Sequence, residues 1–276
     1  MLSEKTICFL GAGNLAEALI KGLIKSGVVP ASQIIASDRL SSRLLHLAEA
    51  YEIKVFNKNY EAARNADIIF LTVKPGDIPG LLGDIARDIG PGKLIISAAA
   101  GVTTTKILEA LKQGGLPQIT PVVRAMPNTP AIVGEGAVAV CGSLTATHAD
   151  LCLARALFEA VGRVIEVEDE ALMDAVTGLG GSGPAYVFLF MEALAEGGEK
   201  MGLSPVDSRL LAMQTVLGSA RLALESGKGL KELREMVTSP GGTTIEGLKK
   251  LDEAGFKAAV IGAVEAAALR AKELAG

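Results

Sequence analysis

The chain has 276 residues, with 27 Lys and Arg against 31 Asp and Glu, for a formal net charge of −4. That length buries a full core and predicts two domains rather than one. The basic residues form no stripe, which argues against a nucleic-acid partner, and no uninterrupted apolar run reaches the roughly 18 to 20 residues of a membrane span.

Hydrophobic residues nevertheless make up 49%, and mean hydropathy is +0.39. Apolar content of this kind without a span predicts surface buried between subunits, hence an oligomer. Cys8, Cys141 and Cys152 show no metal-ligand spacing, and an odd count argues against a disulfide framework. No metal is expected. The opening "MLSEKTICFLGAG" shows no signal peptide and runs directly into a strand, so the expected compartment is the cytoplasm.

From Thr6 to about Val167 short β-rich runs alternate with helical segments. "TICFL", "QIIAS", "IKVF", "DIIFLTV", "KLIISA", "VVRAM", "AVAVC" and "RVIEV" read as strands, with "LAEALIKGLIKSG", "SSRLLHLAEAY", "DIPGLLGDIARDI" and "HADLCLARALFEAVG" as helices between them. Near-continuous apolar strands alternating with helices predict a doubly wound α/β fold, its parallel sheet covered on both faces. After Glu168 no strand candidate remains. Helices are predicted over 183–201, 204–225, 230–237, 244–253 and 256–274, with Ser204 as an N-cap and Pro205 at the first helical position. The uncharged stretch from Ala175 to Met191 contains Gly-Gly-Ser-Gly-Pro and is not expected to be one continuous helix. The boundary falls near Val167.

Gly11-x-Gly13-x-x-Ala16 follows the first strand and opens a helix. Glycines there let the backbone approach a pyrophosphate, which sits against the helix N-terminus. At the end of the second strand, "ASDRLSSR" points both ways: Asp38 suits the ribose 2′-OH of NAD, whereas Ser37, Arg39 and Ser41 suit a 2′-phosphate. Val73-Lys74-Pro75, the segment Ala98 to Thr103, and the loop Arg124 to Ala131, where Asn128 suits an Asx turn, fall where strands end at the same sheet edge. "TSPGGTT", from Thr238 to Thr244, places bare backbone and hydroxyls at a helix mouth. That is a carboxylate cradle by one reading. By another it is a loop closed by the capping box Thr243-x-x-Glu246. His46, inside an amphipathic helix, and His148, beside a helix cap, read as structural.

The motifs "GAGNLA", "VKPGDIP", "SAAAGVT", "RAMPNTPA", "DAVTGLGGSGPAYVF" and "MVTSPGGTTIEGL" occur in this order, and with them the chain resembles pyrroline-5-carboxylate reductase over essentially its whole length. The resemblance implies a Rossmann-like dinucleotide-binding domain, 1–167, followed by an all-α dimerisation and substrate-binding domain, 168–276, whose copies interlock as homodimers, often assembled into larger rings. It implies a cyclic imine carboxylate substrate, reduced to L-proline with NADPH or NADH. Cofactor contacts fall on Ala12, Asn14, Leu15, Asn59, Val73, Lys74 and Ala100, beside Gly11 and Gly13, with Ser37, Asp38 and Arg39 near the adenosine ribose. Substrate contacts fall on Glu170, Ser239, Gly241, Gly242, Thr243 and Thr244. Thr244 would hydrogen-bond the ring nitrogen, and Lys74 is the second, weaker candidate for a catalytic role. At Met236, where some relatives carry a polar residue, no role is carried over.

Two rivals remain at this stage. A β-hydroxyacid dehydrogenase needs a lysine acid/base on the first long helix of the second domain, and "GPAYVFLFMEALAEGGEK" has none before Lys200 at its end. A non-catalytic NAD(P) sensor would have no use for a substrate cradle.

Overall fold

A computed structural model describes residues 2–116 and 120–275. Eight strands form one sheet in the order β3-β2-β1-β4-β5-β6-β7-β8: β1 (Ile7–Leu10), β2 (Ile34–Ser37), β3 (Lys54–Phe56), β4 (Ile68–Leu71), β5 (Leu94–Ser97), β6 (Val122–Met126), β7 (Gly136–Gly142) and β8 (Gly162–Glu166). Each lies within or across a run expected from the sequence. Between them run α1 (Asn14–Lys25), α2 (Ser41–Tyr51), α3 (Asn59–Arg64), α4 (Ile78–Ile85), α5 (Thr104–Gln113) and α6 (His148–Glu159).

Alternate residues of β1 point into two separate cores. Ile7 and Phe9 face one side, with Leu19 and Leu23 of α1 and Phe158 of α6. Cys8 and Leu10 face the other, with Leu82 and Ile85 of α4 and Ile107 of α5. Period-two alternation in an entirely apolar strand thus produces the doubly wound layering. On the first side Phe70 stacks on Phe9 at 4.8 Å and meets Phe158 edge-on at 5.7 Å between ring centroids.

The sheet departs from the parallel expectation at one pair. β6 and β7 are antiparallel, with Arg124 opposite Cys141, while β7 and β8 are parallel. The reason is the connection: 127–135 holds only a short 3-10 turn, Thr129–Val133, whereas a parallel return needs a crossover of a dozen or more residues.

The second half is helical: α7 (Leu172–Val176), a π turn (Thr177–Gly181), α8 (Gly183–Lys200), α9 (Pro205–Ser226), α10 (Leu230–Met236), α11 (Thr243–Glu253) and α12 (Phe256–Ala275). Ser204 caps α9, accepting from the Asp207 amide at 3.1 Å. The glycine-rich stretch that was expected to interrupt a helix does so by widening rather than unwinding: Ser182 N–H donates to Thr177 O at 2.8 Å, and a side chain at Gly181 would meet Met126 Cε at 2.6 Å.

Two compact units divide the chain, Met1–Ser182 with Ala266–Gly276, and Gly183–Glu265. Met173 is buried beside Ala139 and Cys141 of β7, so the residues up to Ser182 pack with the sheet-bearing unit. In the second unit, large apolar side chains such as Phe188, Leu189, Leu210 and Leu217 are exposed on the single chain. Among the described residues, no helix is long and apolar enough to cross a membrane.

Candidate functional site

Leu10 at the end of β1 is in register with Ser37 of β2 on one side and Leu71 of β4 on the other. The chain passes from β1 to β2 and β3, then crosses to β4 beyond β1, so strand order reverses at β1. Ligands of open α/β sheets bind in the crevice at such a point. The segments after β1, β2, β4 and β5 border it.

Gly11 has φ +103° and sits in van der Waals contact with β4's continuation: a Cβ there would lie 2.8 Å from the Thr72 carbonyl. Thr72 Oγ1 donates to Gly11 O at 2.7 Å. Gly13 is the N-cap of α1 and supplies no side-chain cap; a Cβ there would meet nothing within 4 Å. The first amides of α1, with Asn14 and Leu15 at the first two positions, therefore have no side-chain cap. A pyrophosphate fits that opening, since it brings negative charge and acceptor oxygens to unpaired N–H groups at the positive end of the helix dipole.

Ala12, fully buried, has both polar groups held. Its N–H donates to Asp38 Oδ2 at 2.6 Å, and its carbonyl accepts from Arg43 Nε at 2.9 Å. The other Asp38 oxygen accepts from the Leu40 amide at 2.8 Å. Arg43 continues to Glu17 at 2.7 Å, where His46 Nε2, at 2.7 Å, and Tyr51 OH, at 3.2 Å, converge. Burial works against the Glu17 charge, but the hydrogen bonds from His46, Arg43 and Tyr51 outweigh it and hold the carboxyl at about 2.

Ser37 Oγ donates to Asn59 Oδ1 at 2.9 Å, fixing the first residue of α3 to the end of β2. Arg39 is 79% exposed and pairs loosely with Asp77 at 3.3 Å. Lys74 and Ala100 are exposed and Val73 half-buried. The cofactor residues expected from the sequence thus all lie in the first unit. Arg43 and Thr72 were missed: both act on backbone carbonyls distant in sequence, and no spacing announces such a partner.

The bend "TSPGGTT" lies in the second unit. Thr238 Oγ1 donates to Arg234 O at 2.7 Å and finishes α10. Gly242 N–H donates to Ser239 O at 3.0 Å, closing a turn with Gly241 at φ +72°. This left-handed position suits glycine. The capping box of the second reading does not form. Gly242 is the N-cap, Thr243 is already the first helical residue, and no side chain caps α11. The turn ends one residue too early for Thr243 to cap, and Glu246 pairs with Lys249 instead, at 2.7 Å. A side chain at Gly242 would overlap the Ser239 hydroxyl, so that hydroxyl stands at the helix mouth, with Thr243 and Thr244 in the first turn. Beside the bend, Thr238, Ile245, Leu248, Phe256 and Ile261 line a groove of about 740 Å³.

Glu170 is engaged elsewhere. Its carboxylate accepts from the Thr104 amide at 2.8 Å and hydroxyl at 2.7 Å, and from Arg124 Nη1 at 3.1 Å. The cluster ties the start of α5 to β6 within the first unit.

A glycine turn and an uncapped helix mouth at the switch point of a doubly wound sheet, continued by a helical half, define the class of nicotinamide-dependent oxidoreductases. A family model described as "NADP oxidoreductase coenzyme F420-dependent" matches residues 6–101, and one described as "Pyrroline-5-carboxylate reductase dimerisation" matches 170–274. The chain is 44% identical to a pyrroline-5-carboxylate reductase of Methanosarcina acetivorans over 273 residues, covering 99% of both chains. It is also similar to the solved structure of a pyrroline-5-carboxylate reductase from Coxiella burnetii, with TM-score 0.92 and 39% identity over 98% of each chain. A Plasmodium falciparum pyrroline carboxylate reductase with NADP bound matches with TM-score 0.85 and 30% identity over all of both chains. The chain belongs to the pyrroline-5-carboxylate reductase family.

Proposed function

We propose that this chain reduces 1-pyrroline-5-carboxylate to L-proline, the last step of proline biosynthesis, as a homodimer or a larger ring of dimers in the cytoplasm. Bound NADPH or NADH supplies the hydride that the C=N carbon accepts. The residues around Gly11 to Leu15, Ser37 to Arg39, Asn59, Val73, Lys74 and Ala100 hold that cofactor, with the α1 mouth taking the pyrophosphate. Residues 168–276 serve as the dimerisation and substrate half, although 168–182 packs on the sheet.

The observation that carries the substrate assignment is the mouth of α11: no side chain caps it, and a hydroxyl stands over its glycine N-cap. Backbone amides there, with Ser239, Gly241, Gly242 and Thr243, take the substrate carboxylate, and the Thr244 hydroxyl bonds the ring nitrogen. A protonated cyclic imine is already polarised, so the protein needs no strong side-chain acid near neutral pH. Its work is to orient the ring and hold the nitrogen's proton, which accords with two histidines engaged with Glu17 and with Cys152 rather than with the bend. Lys74 adds positive charge beside the cofactor. Glu170 remains among the substrate-side residues, and its oxygens, accepting from Thr104 and Arg124, also brace α5.

Oxidation of NADPH and NADH on addition of pyrroline-5-carboxylate tests this reading. It requires turnover with the imine and none with β-hydroxyacids; nucleotide binding without turnover would instead favour the sensor.

A further inference from the structure

We propose that Asp38 and Arg43 are positioning residues that fix the shape of the glycine loop, and that Asp38 consequently does not read the ribose 2′ position. The inference rests on the reading of this edge as a nicotinamide-dinucleotide site. An acidic residue at the end of β2 ordinarily accepts from the ribose 2′-OH and disfavours a 2′-phosphate. Here that carboxylate is turned toward the protein: one oxygen takes the Ala12 amide at 2.6 Å and the other the Leu40 amide at 2.8 Å.

The Ala12 N–H belongs to the peptide from Gly11 and its carbonyl to the peptide leading to Gly13. Asp38 holds the first, and Arg43 Nε, at 2.9 Å, holds the second. Glycines flank Ala12 on both sides and restrain its peptide planes little by themselves. Thr72 Oγ1 also holds the first plane, through Gly11 O at 2.7 Å, so Asp38 fixes its other edge and Arg43 alone holds the second. Arg43 is itself secured, because its other arm bonds Glu17 at 2.7 Å and Glu17 also receives His46 and Tyr51. The end of β2 and the first turns of α2 thus clamp the loop in the form that opens the α1 mouth. Discrimination at the ribose is left to groups such as Arg39, whose side chain is 79% exposed and restrained by a surface pair.

The two roles for Asp38 separate cleanly in binding measurements made without the imine. Dissociation constants for NADPH and NADH are measured by nicotinamide fluorescence on the full chain and on Asp38→Asn and Arg43→Met, with thermal unfolding of each variant alongside. A clamp predicts that each substitution weakens both nucleotides by the same factor, roughly tenfold for one charge-assisted hydrogen bond, at temperatures well below unfolding. A shift of the Asp38→Asn ratio toward NADPH would overturn the proposal, as would unchanged constants in either variant. If Asp38→Asn does not fold, Arg43→Met decides alone: equal weakening supports the clamp, and no weakening refutes it. A wild-type chain that binds neither nucleotide contradicts the dinucleotide reading itself, which separates that failure from failure of the clamp.

Discussion

Arg124, 3% exposed on β6, donates to the Glu170 carboxylate at 3.1 Å, and that carboxylate also takes the amide and hydroxyl of Thr104. Breaking a buried ion pair from one side leaves a charge without compensation, typically at a cost of about 3 kcal/mol. Glu170→Gln should therefore lower the denaturation midpoint substantially. Adding Arg124→Met should recover part of the loss, because the stranded guanidinium is then gone. A variant of unchanged stability but reduced turnover would show that Glu170 serves the substrate instead.

Glu17 gives a pH signature. Its carboxyl is held at about 2 in the folded chain, below its ordinary value of 4.5. A depressed carboxyl contributes stability that is fully present above the unfolded value and is lost as pH falls through the folded one. The stability advantage of the wild type over Glu17→Gln should hold above about pH 5, as the linkage requires, and shrink as the pH falls toward about 2. Thermal unfolding across that window checks it; a gap independent of pH would contradict the assignment.

Lys93 closes the end of α3. Its ammonium donates to Ala63 O at 3.1 Å, Arg64 O at 2.9 Å and also to Ala66 O. Burial lowers its pKa, yet three carbonyls at a helix C-terminus favour the cation. Lys93→Met should cost about 1 to 3 kcal/mol by leaving those carbonyls unpaired, read as a shift in urea midpoint with nucleotide affinity unchanged.

The helical unit should not persist as a solitary surface. Phe188 is 57% and Leu217 59% exposed on one chain, within the stretch matched by the dimerisation model. Light scattering should report a dimer or larger assembly at micromolar concentration, and Leu217→Arg should weaken it. A stable, active monomer would contradict this.

Sequence periodicity revealed the strands because apolar runs such as "ICFL" and "IIFL" are buried on both faces, an environment that leaves an unbroken signal. It carried no information on strand direction, so the antiparallel β6–β7 pair depended on connection length. The helix α3 is six residues long with Ala62 and Ala63 its only buried residues, too little for a visible period. The helix α5 opens on "TT" after "VT", a β-branched start that reads against a helix. At the sites, glycine positions were legible because backbone geometry demands them. At the bend both readings stood open, since "TTIE" satisfies the box pattern while the turn before it decides which residue caps. The clamp on Ala12 joins side chains to backbone atoms far along the chain, and only the folded sheet brings them together.

The most direct test of the account is turnover of pyrroline-5-carboxylate by Thr244→Val, a change that keeps shape and removes one hydroxyl. Thr244 is exposed in the first turn of α11, so the fold should persist. If its hydroxyl bonds the ring nitrogen, kcat/KM for the imine should fall about ten- to a hundredfold, the size of a hydrogen bond to a charged partner, with the dissociation constant for NADPH unmoved. Full turnover by Thr244→Val would contradict the account, because the mouth of α11 would then be a turn between helices and not the place where the substrate is held.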